Sequence, residues 1–171
     1  MTINYCLACG QPLKALDETT YRCPQGHGFW NTPRTGTSVI FIKDSHVLLS
    51  ERAREPRKGL YSFPGGFLKF GEAPRAAAIR EVKEETGVDV TELELLDART
   101  VMYEENETTC SILFLAKAWK GEFVAADDSA ALVWQTIDSL ELDKFAWPTT
   151  DMVAKLKTLA VRVESEQLVR N

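Results

Sequence analysis

The hydrophobic positions of the chain change period several times along its length. Thr37-Ser-Val-Ile-Phe-Ile-Lys43 is a β-branched and aromatic run that predicts a strand, Asp44-Ser45 a turn, and His46-Val-Leu-Leu-Ser50 a second strand. Leu60-Tyr-Ser-Phe63 predicts a short strand that stops at Pro64-Gly65-Gly66. Long strands are predicted near 90–104 and 108–119. In the second of these, Cys110, Ile112, Phe114 and Ala116 share one face while Leu113 and Leu115 occupy the other. Both faces are therefore expected to be covered, and Cys110 to be a buried, inert thiol. Leu132–Ile137 predicts a further strand. A helical pattern runs from Glu72 to Thr86, with Pro74 in its first turn, where the missing N–H is harmless, and Gly87 just past its end. A last helix is predicted after a cap at Thr149 or Thr150, with Met152, Leu156, Leu159 and Val163 at helical spacing.

Residues 1–33 read differently. They hold three of the four cysteines, two proline turns and little apolar periodicity, and Pro33 and Gly36 mark the junction with the rest of the chain. Two units are predicted: a small module over 1–33 and a larger domain over 34–171. The whole chain of 171 residues carries 25 acidic and 20 basic side chains, a net charge of −5. That balance disfavours nucleic acid and anionic membrane surfaces as partners, while leaving open a phosphate ligand held through a metal. The longest apolar run, Ile112 to Ala116, is far short of the ~20 residues a membrane span needs. The first residues show no basic segment followed by an apolar stretch, so no secretory leader and a cytoplasmic location are expected. In that setting Cys6-x-x-Cys9 points to metal or redox chemistry rather than to disulfides.

The most informative stretch is Arg80-Glu81-Val82-Lys83-Glu84-Glu85. On a helix, Glu81 has neighbours at i+3 and i+4 in Glu84 and Glu85, so three carboxylates fan over about 100° of one face. Like charges so placed cost ~0.2–0.5 kcal/mol per pair. Glu84 and Glu85 also meet the negative end of the helix dipole. A divalent cation would reverse both costs, and Mg²⁺ takes oxygen ligands and bridges to phosphates. Taken alone, the cluster reads more readily as a solvated face with Arg80 and Lys83 as partial counterions than as a metal site. The helix is entered through Pro64-Gly65-Gly66-Phe-Leu-Lys-Phe-Gly71-Glu72, where paired glycines let the backbone approach a ligand or metal closely.

Gly66, Glu72, Arg80-Glu81, Val82, Glu84-Glu85, Gly87 and Val88 occur at spacings that resemble a complete Nudix box, with every fixed position filled. Val47-Leu-Leu-x-x-Arg52 and the stretch from Glu55 to Phe67 are similar to the segments that precede the box in that family. Asp127-Asp128 followed by Trp134 is similar to a later one, and the match covers roughly residues 34–145. The resemblance implies an α+β fold, a Nudix α/β/α sandwich with a mixed central sheet. It implies Mg²⁺ or Mn²⁺ bound by Glu81, Glu84, Glu85 and the Gly65 carbonyl, with Arg80 and Glu72 orienting the glutamates. One departure is Ala131, three residues before Trp134, where the family often has an acidic residue. A fourth carboxylate would come from Glu104, Glu105, Glu107, Asp127 or Asp128.

Cys6, Cys9, Cys23 and His27 make a candidate Cys₃His set. Tyr21 to Pro33 resembles the zinc ribbon that precedes the catalytic domain in a subset of Nudix proteins. Its second knuckle usually reads Cys-Pro-x-Cys-Gly, whereas here Gly26 stands at the second cysteine and His27 comes next. Either His27 replaces that ligand or the site is degenerate. A bound zinc would be structural, since four protein ligands leave no open position. Arg52, Arg54 and Arg57 are candidate contacts for substrate phosphates. Tyr103, Phe29, Trp30 and Trp119 could stack on a nucleobase, although core packing accounts for such residues as well.

The expected function is metal-dependent hydrolysis of a nucleoside diphosphate linked to a second moiety. ADP-ribose-like and FAD-like compounds come first, because no stretch like that of the NADH-cleaving group is present after the box. Oxidised nucleoside triphosphates are the alternative substrates. A catalytically silent nucleotide-binding regulator and a zinc-ribbon adaptor are the alternative classes. Among protein partners, a second copy of the chain is admitted.

Overall fold

The computed structural model describes residues 4–104, 107–147 and 151–170, with side chains as far as 166. Thr149, Thr150 and Glu105, the two candidate caps and one candidate carboxylate, lie outside the described residues. Within the predicted module three short strands, β1 (Lys14–Ala15), β2 (Thr20–Arg22) and β3 (Gly28–Trp30), form an antiparallel sheet in that order. Next come β4 (Arg34–Ile40), β5 (Ile42–Lys43), β6 (His46–Arg52), β7 (Tyr61–Ser62) and α1 (Pro74–Thr86). After them come β8 (Asp89–Glu104), β9 (Glu107–Lys120), β10 (Ser129–Thr136) and α2 (Met152–Arg170).

Strand β9 is the centre of a mixed sheet, parallel to β4 on one side and antiparallel to β8 on the other. A second sheet pairs β6 with β10 and β5, and with β7 at its far end. Alternation along these strands sends successive side chains to opposite faces. Val39, Leu48 and Phe114 join Ala78 and Val82 of α1 in one core. Ile40, Val47, Leu49, Leu113 and Leu115 join Met152, Leu156 and Ala160 of α2 in another. The β-layer therefore lies between two helices, as the sandwich reading expects, and the two faces of β9 divide as its sequence pattern predicts.

Local chemistry accounts for the ends of α1. Pro74 occupies the first turn, and Gly87 (φ 77°) closes the helix by donating its N–H to the Lys83 carbonyl at 3.1 Å. Lys83 also caps this end through its ammonium, 2.8 Å from the Gly87 carbonyl. The helix begins two residues later than the pattern from Glu72 predicts, because Glu72 belongs to a turn in which its N–H donates to the Lys69 carbonyl. Two further expectations are corrected. Cys110 is half-buried rather than buried, because it lies toward the open end of the β8–β9 pair, opposite Thr100. Ile137 leaves the strand for a short 3-10 turn, Ile137–Ser139, and is buried there in the α2-side core.

Replacing Leu115 by alanine should measure the packing of β9 against α2. Leu115 is completely buried, and the cavity left behind should lower the unfolding free energy by about 2–5 kcal/mol in urea titrations. A loss under about 0.5 kcal/mol would mean that α2 does not seal this face.

Candidate active site

The paired glycines run alongside β4. Val39 N–H donates to the Pro64 carbonyl and Thr37 N–H to the Gly66 carbonyl, both at 2.8 Å, and Leu68 N–H returns to the Thr35 carbonyl at 3.1 Å. The pairing presses the turn against its neighbours so closely that side chains are excluded. A Cβ on Gly65 (φ 149°) would fall 2.1 Å from the Thr37 carbonyl oxygen, and one on Gly66 would fall 2.6 Å from the Glu81 carboxylate. These two positions are glycine for space, and one of them for backbone conformation as well.

The acidic helix face meets this turn. Gly65 N–H donates to Glu85 Oε2 at 3.0 Å. Arg80 binds Glu72 through two parallel bonds of 2.8 Å, from Nε and Nη2, and uses Nη1 for Glu81 at 2.7 Å and Glu84 at 2.9 Å. Its Nη2 also donates to the Phe67 carbonyl at 3.2 Å. Glu72 accepts a further bond from Lys69 N–H. The bonds from Arg80 and then that backbone N–H hold the Glu72 carboxyl down to about 2, and the same carboxylates, Glu72 first, raise the Arg80 guanidinium further. Glu85 behaves in the opposite way. Burial, opposed by the Gly65 N–H and reinforced by the charges of Glu81, Asp128 and Asp127, pushes its carboxyl up to about 8. A divalent cation between these groups would offset the repulsion among the carboxylates and favour the ionised form of Glu85.

Glu81, Glu85, Gly65 and Gly66 line one end of a cavity of 370 Å³ that opens along β4, β8 and β9. Glu84 is not part of its wall; it is held by Arg80 and by Lys69 at 3.8 Å. Asp128 lines the cavity, whereas Ala131 lies opposite Glu51 just past a bulge in the β6–β10 ladder. Of the described candidates for a fourth carboxylate, Asp128 lines the cavity while Glu104, Glu107 and Asp127 do not. The loop carrying Asp128 is fastened to α1, since Ala126 N–H donates to the Glu85 carbonyl at 3.0 Å. Glu107 pairs with Arg34 at 3.5 Å, and Glu104 faces Arg57 at 4.0 Å.

The three arginines separate. Arg52 lines the cavity with its guanidinium 4.7 Å from the Trp147 ring centre. Arg57 is 5.4 Å from the same ring and donates to the Ala146 carbonyl. Arg54 is drawn away to Asp128 at 2.8 Å and Asp127 at 3.7 Å, outside the cavity wall. Tyr103 stacks on Trp147 with ring centres 4.8 Å apart, and Trp147 Nε1–H donates to the Tyr103 carbonyl at 3.1 Å. Trp119 is instead part of an aromatic core with Phe41 and Phe123. Phe29 packs on Tyr21 within the N-terminal sheet, and Trp30 is exposed there. Sequence reasoning missed Trp147, Arg99 and Thr109, which line the cavity. Trp147 stands more than sixty positions beyond α1, with no local motif to mark it.

In the N-terminal sheet, Cys6, Cys9, Cys23 and His27 converge, with ligand atoms all within 4.8 Å of one another. Cys9 and Cys23 sulfurs are 3.7 Å apart, and His27 Nδ1 is 3.6 Å from the Cys6 sulfur and 3.5 Å from that of Cys23. Tetrahedral ligands about 2.3 Å from a zinc ion would sit about 3.8 Å apart. Gly26 (φ 85°) donates its N–H to the Cys23 carbonyl at 2.9 Å, and this turn brings His27 round to the cysteines.

A family model described as the NUDIX domain matches residues 32–156. The chain is 33% identical over 143 residues to the NAD-capped RNA hydrolase NudC of Pseudomonas aeruginosa (strain LESB58), a match covering 80% of this chain and 49% of that protein. It is 35% identical over 98 residues to the ADP-ribose pyrophosphatase of Methanocaldococcus jannaschii, covering 57% of this chain and 58% of that protein. The chain thus spans 49% and 58% of the length of these two relatives. The crystal structure of the MutT NUDIX hydrolase from Burkholderia pseudomallei is similar with a TM-score of 0.62 at 27% identity, over 73% of this chain and 95% of that one. The family match spans well over half of the residues and contains the whole glycine turn and acidic helix, and on that ground the chain belongs to the Nudix family.

Proposed function

We propose that the protein hydrolyses a nucleoside diphosphate linked to a second moiety, with ADP-ribose-like compounds as first candidates. The observation that carries this reading is the convergence of Glu81, Glu85, Gly65 and Gly66 on one end of a cavity large enough for a nucleotide. The name of the archaeal relative supports the choice of substrate. Among the described residues no helix is long and apolar enough to cross a membrane.

The donor set fits Mg²⁺ or Mn²⁺. It is made of hard oxygens, and the missing side chain at Gly66 leaves the Glu81 carboxylate uncovered. Glu81, Glu84, Glu85 and the Gly65 carbonyl would hold the ion. When bound, such an ion neutralises diphosphate charge and makes a ligated water more acidic. The remaining work falls to the chain's own groups. Arg80 holds Glu81 in the cavity wall and bonds Glu84 beside it. Arg52, held over Trp147, takes a phosphate oxygen. Glu85, which has no arginine partner among the described residues, receives the proton of the attacking water.

The direct test is incubation of the protein with ADP-ribose, FAD and related diphosphates plus Mg²⁺ or Mn²⁺, with products resolved by mass. Glu85→Gln keeps an oxygen to accept the Gly65 N–H, so the fold should persist while turnover falls about a hundredfold or more. Near-normal turnover would remove Glu85 from the mechanism.

We also propose that residues 1–33 form a zinc-ribbon module with Cys6, Cys9, Cys23 and His27 as its ligands. The spacing of the four side chains supports this, and a segment with so small a core gains its stability from such an ion. Purified protein should contain about one zinc per chain by atomic absorption, and Cys23→Ser should lose it. Unchanged zinc content in that variant would place the ion elsewhere.

A further inference from the structure

The α2-side face of β9 changes character along its length. Leu113 and Leu115 are covered by α2, whereas Thr109 and Ser111 on the same face border the cavity. Beside them on β8 lies Arg99, opposite Ser111 in the ladder, while Thr109 lies opposite Val101. Thr109 is 4% exposed, yet its hydroxyl has no hydrogen-bond partner among the described residues, and neither has Arg99 Nε. A buried polar atom left unpaired is costly, and in a cavity wall its partner is water or a ligand that displaces the water. The surroundings are apolar, with Val101, Leu113 and Met152 in the same wall. Arg52 and Glu85 border the cavity as well and are assigned to the phosphates and to the metal and water. A wall that sets apolar side chains beside the Thr109 and Ser111 hydroxyls offers both a face and an edge contact to a flat heterocycle.

We infer that Arg99 and Thr109 are the base-reading residues of the cavity, taking a purine by its N7 edge. This deepens the proposed hydrolase function and rests on it. A guanidinium only donates, so Arg99 requires an acceptor, while a hydroxyl donates or accepts. Both purines present the N7 acceptor beside a second polar group, the amine of adenine or the carbonyl of guanine, and Thr109 can meet either. The corresponding edge of a pyrimidine offers one polar substituent next to carbon.

The test compares ADP-ribose, GDP-mannose and UDP-glucose as substrates with Mg²⁺, alongside calorimetric binding of ADP, GDP and UDP. At least one purine compound should exceed UDP-glucose in kcat/KM by about tenfold, and the better purine shows whether Thr109 accepts from the amine or donates to the carbonyl. Thr109→Val and Arg99→Lys should raise KM for that compound about tenfold, with a much smaller change in kcat, and Thr109→Ser should restore the original value. Equal use of UDP-glucose, or wild-type KM in both Thr109→Val and Arg99→Lys, would overturn the inference. Purine-selective binding without cleavage of any diphosphate would overturn the hydrolase reading while leaving the base-reading assignment standing.

Discussion

The arrangement of the acidic helix depends on one guanidinium. Arg80 lies between Glu72, Glu81 and Glu84 and also holds the Phe67 carbonyl, so a single side chain joins the turn before α1, the helix face and the glycine loop. Three acidic side chains near the negative end of a helix repel one another and the dipole. Charge-assisted bonds to a planar, bidentate donor are stronger than those repulsions at surface spacing, so Arg80 makes the cluster tolerable without a cation. It does so unevenly. Glu81 and Glu84 share one nitrogen of Arg80, whereas Glu85 is left to burial and a backbone N–H. That inequality separates the glutamates of one helix face into a pair bonded to Arg80 and one that is not.

The glycine turn supplies the second constraint. Its pairing with β4 makes it an extension of the sheet rather than a free loop, and its lack of side chains lets two backbone peptides stand where any Cβ would meet Thr37 or Glu81. The helix from one side of the β-layer and the cavity from the other therefore meet across a gap of bare backbone.

Much of this was legible in the sequence because it is local. Pro74 and Gly87 bracket α1 within two residues, the Asp44-Ser45 turn separates its strands, and the alternation in β9 sorted its side chains correctly between the two cores. The box residues are gathered by helix spacing, which sequence distance encodes. The failures are non-local. Arg52, Arg54 and Arg57 read alike in sequence, yet of the three Arg52 lines the cavity, while Arg54 pairs with Asp127 and Asp128, seventy-odd residues along the chain, and Arg57 bonds the Ala146 carbonyl. Trp147, Arg99 and Thr109 come to the cavity through strand register and chain return, which carry no motif. Cys110 reads as a core position by alternation, but it lies beyond Ile112 and Phe114 on the α1-side face, toward the end of the β8–β9 pair, and stays half-buried there. In the N-terminal segment the sequence left His27 as one of two readings, and the positive φ at Gly26 accounts for its convergence with the cysteines.

The strap that leaves β9 is tied at two points to the end of α1, by Val124 N–H to the Thr86 carbonyl and by Ala126 N–H to the Glu85 carbonyl. A tether anchored on consecutive carbonyls cannot absorb inserted length without releasing one knot. The stretch from Lys120 to Ser129 should therefore keep a constant residue count. Its length acts as a gauge, setting how far Asp128 stands from the helix.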